Sequence, residues 1–159
     1  LANKLQGEIR QTKPFSGVRQ EALLNIRRTS GYLERWMQQS LKSYGITEQQ
    51  YNVLRILRGA GPEGLRCTEI GERMLSRDPD ITRLLARLQR NRLIERRRDA
   101  RDRRVTHIRI SPVGSALLAD LDPVVEAEMT ALLAHMSEEK MSALIDLLEE
   151  VRQVPLGEA

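Results

Sequence analysis

The sequence predicts a mainly α-helical fold with one small β-hairpin, and three observations lead there. Apolar residues recur at intervals of three, four and seven along most of the chain. Helix-start residues stand ahead of the periodic runs. A single pair of β-compatible runs flanks a six-residue charged segment. With 159 residues and 40 % apolar content, the chain can bury a continuous core without disulfide or metal staples.

The elements follow in order. Residues 1–17 are scattered polar groups with Pro14 and Gly17 and show no sustained period, so they read as an extension that lies against a partner. Over residues 18–44, Leu23, Ile26, Leu33, Met37, Leu41 and Tyr44 form one stripe of a long helix that Gly45 ends. Thr47 and Gln50 make a capping box, with Ile46 placed to staple onto Tyr51, so a helix is expected over 47–58 and a Gly/Pro turn over 59–64. A short helix follows at 68–75. Asp78-Pro79-Asp80 then puts a capping carboxylate ahead of proline at the first helical position. In that helix Ile81, Leu84, Leu85 and Leu88 share one face, while Thr82, Arg83, Arg87 and Arg90 fall elsewhere.

Two short helices in succession suggest a helix-turn-helix. Residues 93–98 and 105–110 are the β-compatible runs, and 99–104 is a charged hairpin tip, a wing. Ser111 caps a long helix with Pro112 at its first position, through Leu117, Leu118, Leu121, Val125, Met129, Leu132 and Met136, with a kink expected at Pro123. Ser137, followed by Glu138 and Glu139, caps a last helix striped by Met141, Leu144, Ile145, Leu148 and Val151, which Pro155 ends. Residues 18–152 thus read as one domain, with 153–159 as a tail. Met129, Met136 and Met141 at helical spacing read as packing residues.

Charge is distributed unevenly. The formal net charge is only +4, yet 22 of the 26 basic residues are arginine, whose planar fork suits phosphate. Between Arg83 and Arg109 lie eleven arginines against Glu95, Asp99 and Asp102, an excess of eight positive charges. Residues 120–150 hold nine acids and one base, Lys140. A cationic helix and hairpin beside an anionic helical part point the former at a polyanion. These are also the two shapes that enter DNA grooves, which makes duplex DNA the expected partner. All five aromatics (Phe15, Tyr32, Trp36, Tyr44, Tyr51) precede residue 52, a pattern unlike a single-strand binder that stacks successive bases.

On these residues the chain resembles the MarR family of winged-helix transcription regulators over about residues 18–152. The resemblance is carried by Ile46-Thr47-Glu48-Gln49-Gln50-Tyr51-Asn52-Val53-Leu54, by Pro79-Asp80-Ile81-Thr82-Arg83-Leu84-Leu85-Ala86-Arg87-Leu88, and most specifically by Asp99-Ala100-Arg101-Asp102-Arg103-Arg104 with Ile108-Arg109-Ile110-Ser111-Pro112-Val113-Gly114. It implies a homodimer paired by the helices over 18–44 and 111–152, a winged helix-turn-helix over 47–110, a recognition helix over 79–91 in the major groove and a wing tip in the minor groove. It also implies a palindromic operator, repression, and relief by a small aromatic or anionic ligand. Where the family usually has glycine before the wing strand, this chain has Asn91-Arg92; Asn91 is expected to take the left-handed turn, and were Arg92 to take positive φ instead the wing's angle would be strained. The reactive cysteine of peroxide-sensing relatives has no counterpart near the start of the first long helix.

The DNA-contact candidates are Thr68, Ser76, Arg77, Asp80, Thr82, Arg83, Arg87, Arg101, Arg103 and Arg104. Arg83 and Arg87, near the start of the recognition helix, are the base-reading candidates. Thr68, Ser76 and Arg77 are either phosphate contacts or plain cap and surface residues. Arg101 matches the family's minor-groove arginine, which A·T-rich sequence would favour. Arg103 and Arg104 serve either the tip or the phosphates, and Asp99 and Asp102 are expected to orient the wing arginines. By resemblance Tyr32, Trp36, Met37, Tyr51 and Leu54 line a ligand pocket, against the alternative that they are ordinary core.

Other function classes find little support. The lone Cys67 permits no internal disulfide and reads as a small helix-entry residue. His107 and His135 stand far apart without metal-ligand spacing and read as structural. No catalytic constellation, phosphate loop, cofactor motif or bilayer-length apolar run stands out, so a cytoplasmic regulator without catalytic residues, cofactor or metal is expected. The alternative is a protein-interaction adaptor that turns the basic head toward an acidic protein.

Overall fold

The computed structural model describes residues 4–76, 80–99 and 102–153. The order is helix α1 (Lys4–Glu8), α2 (Val18–Leu41) with a 3-10 turn (Lys42–Tyr44), α3 (Glu48–Ala60), α4 (Cys67–Arg73), α5 (Ile81–Arg90), strands β1 (Ile94–Arg98) and β2 (Thr106–Ile110), then α6 (Pro112–Leu133) and α7 (Glu138–Val151). The chain divides into two compact units, residues 1–121 and 122–159.

In the first unit the core is aliphatic. Leu54 and Leu57 of α3, Ile70 of α4, Leu85 and Leu88 of α5 and Leu118 of α6 have no solvent exposure. The capping box forms as expected: Gln50 N–H donates to Thr47 Oγ1 at 3.3 Å, and Thr47 N–H donates to Gln50 Oε1 at 2.9 Å. The extension is not featureless, because α1 buries Leu5 and Glu8 lies 3.7 Å from Arg28 of α2 in the same chain. Five residues are too few to show a period, which is why the sequence hides this helix.

The fourth helix ends two residues before the expected limit, and Leu75 beyond it is 85 % exposed. Its backbone is not left loose, since Leu75 N–H donates to Asn52 Oδ1 of α3 at 3.0 Å. The fifth helix starts at Ile81, and its cap is Asp80, whose Oδ1 accepts Arg83 N–H at 3.0 Å. The described helix thus starts two residues later than expected, with Asp80 as its cap. Asp78-Pro79 lie outside the described residues. Two carboxylates two residues apart both fit the capping pattern, and the amide geometry of the first turn selects the second.

The exit from α5 overturns another expectation. Asn91 has φ −82°, while Arg92 takes the left-handed φ of +60°. Arg92 N–H donates to the Gln89 carbonyl at 2.9 Å and Leu93 N–H to the Leu88 carbonyl at 3.0 Å. This is the paired 6→1 and 5→2 closure that normally places glycine where Arg92 stands. A Cβ in that conformation costs about 1–2 kcal/mol. Replacing Arg92 with glycine is expected to stabilise the protein by about 0.5–1 kcal/mol, after glycine's greater freedom in the unfolded chain offsets part of the relief. Denaturant melts would read this as a higher midpoint with an unchanged slope.

The two strands pair antiparallel, Ile94 opposite Ile110 and Arg98 opposite Thr106, with Leu93 and Val105 just outside. Leu65 adds a one-residue bridge to Ile108, with N–H···O distances of 3.0 and 2.8 Å. Gly64 before it has φ +73°, and a Cβ there would run into the Ile108 carbonyl. Ser111 then joins hairpin to helix. Its hydroxyl donates to the Arg92 carbonyl at 2.6 Å and accepts Gly114 N–H at 3.0 Å, and its own N–H donates to the Leu93 carbonyl at 3.0 Å.

In the second unit Ser137 caps α7, accepting Lys140 N–H at 3.4 Å. The sixth helix stops at Leu133 rather than at Met136, and it contains Pro123. No residue of α7 is buried: Leu144, Ile145, Leu147 and Val151 are all exposed, as are Val124, Met129 and Leu133 of α6. Leu118, Leu121 and Val125 of the α6 stripe are buried, but the α7 stripe does not become core within this one chain. The same is true of Leu23 and Leu33 on α2.

Candidate nucleic-acid interface

The interface is built on α5. Leu84, Leu85 and Leu88 turn inward and are buried, which leaves Thr82, Arg83, Ala86 and Arg87 exposed on the remaining surface of the helix. A ten-residue helix held by one aliphatic face is a rigid rod with its other side open to solvent. Asp80 does more than cap it. Its Oδ2 lies 3.9 Å from Arg83 Nε, so the cap residue also draws the Arg83 guanidinium toward the helix start. The Arg83 side chain is still 73 % exposed and free to reach outward.

Ahead of α5, Thr68 on α4 and Ser76 after it are exposed. Arg66, just before α4, donates its backbone N–H to Glu69 Oε2 at 2.7 Å. That hydrogen bond holds the Glu69 carboxyl below the usual carboxylate range. Arg77 and Arg101 lie outside the described residues.

In β1, Ile94 is buried and Glu95, Arg96, Arg97 and Arg98 are exposed, so this strand leaves the core after its first residue, while Ile108 of β2 stays buried. Arg103 and Arg104 are exposed at the hairpin's outer end. Thus α5 and the hairpin, linked through the Arg92–Ser111 contact, carry a run of exposed arginines within one compact unit. The two wing acids have definite partners. Asp102 Oδ1 accepts Arg104 N–H at 3.0 Å and lies 3.9 Å from its Nε. Asp99 accepts the Asp102 amide and approaches His107. The contact of His107 with Asp99 is not legible in the sequence, because strand alternation alone does not reveal which cross-loop carboxylate the ring meets.

Of the pocket candidates, Tyr51 and Leu54 of α3 are buried in the core, Trp36 and Met37 of α2 are half-buried, and Tyr32 is exposed. Burial thus differs among the five, from the fully enclosed α3 pair to the open Tyr32. Among the described residues no group of three or more His, Cys, Asp or Glu side chains could hold a metal ion, and no helix is long and apolar enough to cross a membrane.

A family model described as MarR family matches residues 44–105, from the turn after α2 through the hairpin tip. The homoprotocatechuate degradative operon repressor of Escherichia coli is 30 % identical over 110 residues, covering 69 % of this chain and 73 % of that protein. The crystal structure of a MarR transcription factor from Planctomyces limnophilus is 34 % identical with a TM-score of 0.65, covering 86 % of this chain and 98 % of that one. The S. aureus MepR–DNA complex is 25 % identical with a TM-score of 0.72, covering 81 % and 95 % respectively. With a capped rod and a cationic hairpin in one unit, and with this likeness across most of its length, the chain belongs to the MarR family of winged-helix transcription regulators.

Proposed function

We propose that the protein is a homodimeric repressor that binds a palindromic duplex DNA operator and leaves it when a small aromatic or anionic ligand binds. The observation that carries the reading is the pairing of exposed arginines on α5 and on the hairpin of one unit. In this reading Thr82, Arg83 and Arg87 meet base edges, with Asp80 steering Arg83. Thr68, Ser76, Arg77, Arg103 and Arg104 bind phosphates, and Arg101 enters the minor groove. Asp99 and Asp102 hold the wing in shape. Support for DNA comes also from the MepR–DNA complex, and support for repression from the E. coli relative, an operon repressor by name.

A second copy of the chain is the natural cover for the apolar side chains left open on α2, α6 and α7. Each leucine or isoleucine so covered contributes on the order of 1.5–3 kcal/mol. The pairing helices would be those over 18–44 and 111–152. Two recognition helices would then meet successive major grooves about 34–36 Å apart. Tyr32, Trp36, Met37, Tyr51 and Leu54 form the proposed ligand-responsive region. A ligand there acts only by favouring one spacing of the two heads over another.

The test is a salt titration against a duplex selected from a random-sequence pool and against its scrambled version. Binding to both should fall steeply with salt, while the selected duplex keeps an affinity advantage of about a thousandfold or more. Its footprint should show two-fold symmetry. Weak binding without discrimination would point instead to an adaptor that turns its basic head to an acidic protein.

A further inference from the structure

The outer end of the hairpin holds a histidine that the reading above does not use. In the β ladder His107 stands opposite Arg97. Its Nε2 lies 3.2 Å from Oδ2 of Asp99, the first residue past β1. The other oxygen of that carboxylate accepts Asp102 N–H at 3.0 Å, and Asp102 Oδ1 in turn accepts Arg104 N–H at 3.0 Å. Two backbone bonds close the turn, Asp99 N–H to the Val105 carbonyl at 3.0 Å and Val105 N–H to the Asp102 carbonyl at 2.9 Å. An unbroken series of contacts therefore runs from the imidazole to Arg104.

The series is graded in exposure. The side chains of His107 and Asp99 are 25 % and 33 % exposed, whereas that of Arg104 is 96 % exposed. The sheltered end is where a polar contact is least weakened by water, and so where an anchor works best. Nδ1 of His107 is buried without a hydrogen-bond partner among the described residues. A buried ring nitrogen left unpaired is costly, and an aliphatic residue would satisfy the strand without that cost. The Nε2 contact with Asp99 is what the position gains in exchange. Nε2 is the ring nitrogen within hydrogen-bond reach of the carboxylate, and an N–H there donates to Asp99 Oδ2.

We propose that His107 is a positioning residue of the wing: by gripping Asp99 it sets the turn that presents Arg103 and Arg104 to the duplex. The inference rests on the DNA-binding reading. A preset turn loses less freedom on binding than a loose one, so the grip favours the complex without touching DNA.

The experiment uses the full chain and a duplex it selects from a random-sequence pool, with affinity read by fluorescence anisotropy at fixed salt and pH. His107→Leu removes the donor and is expected to weaken binding about three- to tenfold, while His107→Gln, which keeps an N–H, stays within about twofold of the parent. In an Asp99→Ala background His107→Leu should add nothing, since the partner it acts through is gone. Amide exchange in the free protein supplies a readout independent of DNA. His107→Leu should speed exchange at Asp102 and Arg104 about fivefold or more while Ile94 and Ile110 stay protected. Equal loss in the Gln and Leu variants, an unchanged effect without Asp99, or unaltered exchange would overturn the proposal. Were the parent chain to select no duplex, the DNA-binding reading would fall and the proposal with it; a parent that binds and a Leu variant that binds equally well would sink the proposal alone.

Discussion

Alanine in place of Gly114 is expected to destabilise the winged unit by about 2–3 kcal/mol, although alanine is the better helix former. Gly114 sits in the first turn of α6, where its N–H donates to Ser111 Oγ. A Cβ there would run into the Leu93 carbonyl oxygen and come within 2.9 Å of Ile110 Cγ1. Neither obstacle is the loose end of a flexible side chain. One is backbone and the other belongs to a β-branched residue in the strand. The first turn of α6 would have to move away from Leu93 and pull on the Ser111 hydroxyl that holds Arg92. Thermal melts should show a fall of about 5–10 °C. Gly59→Ala is the matched control. It lies in α3, a Cβ there meets nothing within 4 Å, and helix propensity alone should raise stability by up to about 1 kcal/mol. Equal melting temperatures for the two variants would show that the packing at Gly114 is not tight.

Arg83→Ala is expected to cost about 1–3 kcal/mol of binding to a selected duplex, roughly 5- to 150-fold in affinity, and to relax sequence choice at one position in each half-site. Arg83 lies in the first turn of α5, exposed, with Asp80 both capping the helix and 3.9 Å from its guanidinium. Arg96→Ala is the comparison, an exposed cation on β1 rather than on the rod. If it binds phosphate, its loss should weaken selected and scrambled duplexes alike and lower the salt slope by about one. Competition assays with single-base-pair variants separate the two. A uniform loss across every sequence in the Arg83 variant would move it from base reading to phosphate binding.

Much of this architecture is legible in one dimension because its causes are local. The Thr47–Gln50 capping box, the Ser111 and Ser137 caps and the glycine after α2 each act within a turn or two of the chain. The structure places all of them where their spacing says. The inward face of α5 is equally plain, since three leucines three and four residues apart leave the arginines only one side. Two errors arose where local rules allow a tie. Asp78 and Asp80 both suit a cap, and the amides of the first turn choose Asp80. Asn91 is the better left-handed residue, yet Arg92 takes that conformation because Leu93 must reach the Leu88 carbonyl and enter the core.

The outward stripes of α2 and α7 show a different boundary. Periodicity locates an apolar face, but whether Leu23 or Ile145 becomes core depends on what covers it, and both are exposed in this chain. Composition and spacing were enough for the helices from α2 onward, the hairpin and the concentration of arginine between residues 83 and 109, since each is a property of neighbours in sequence. Folding in three dimensions was needed to bring Ser111 onto Arg92, Asn52 onto Leu75 and His107 onto Asp99. These contacts span eight to twenty-three residues, and such separations leave no repeating pattern because the intervening chain, not a helical or strand period, fixes who meets whom.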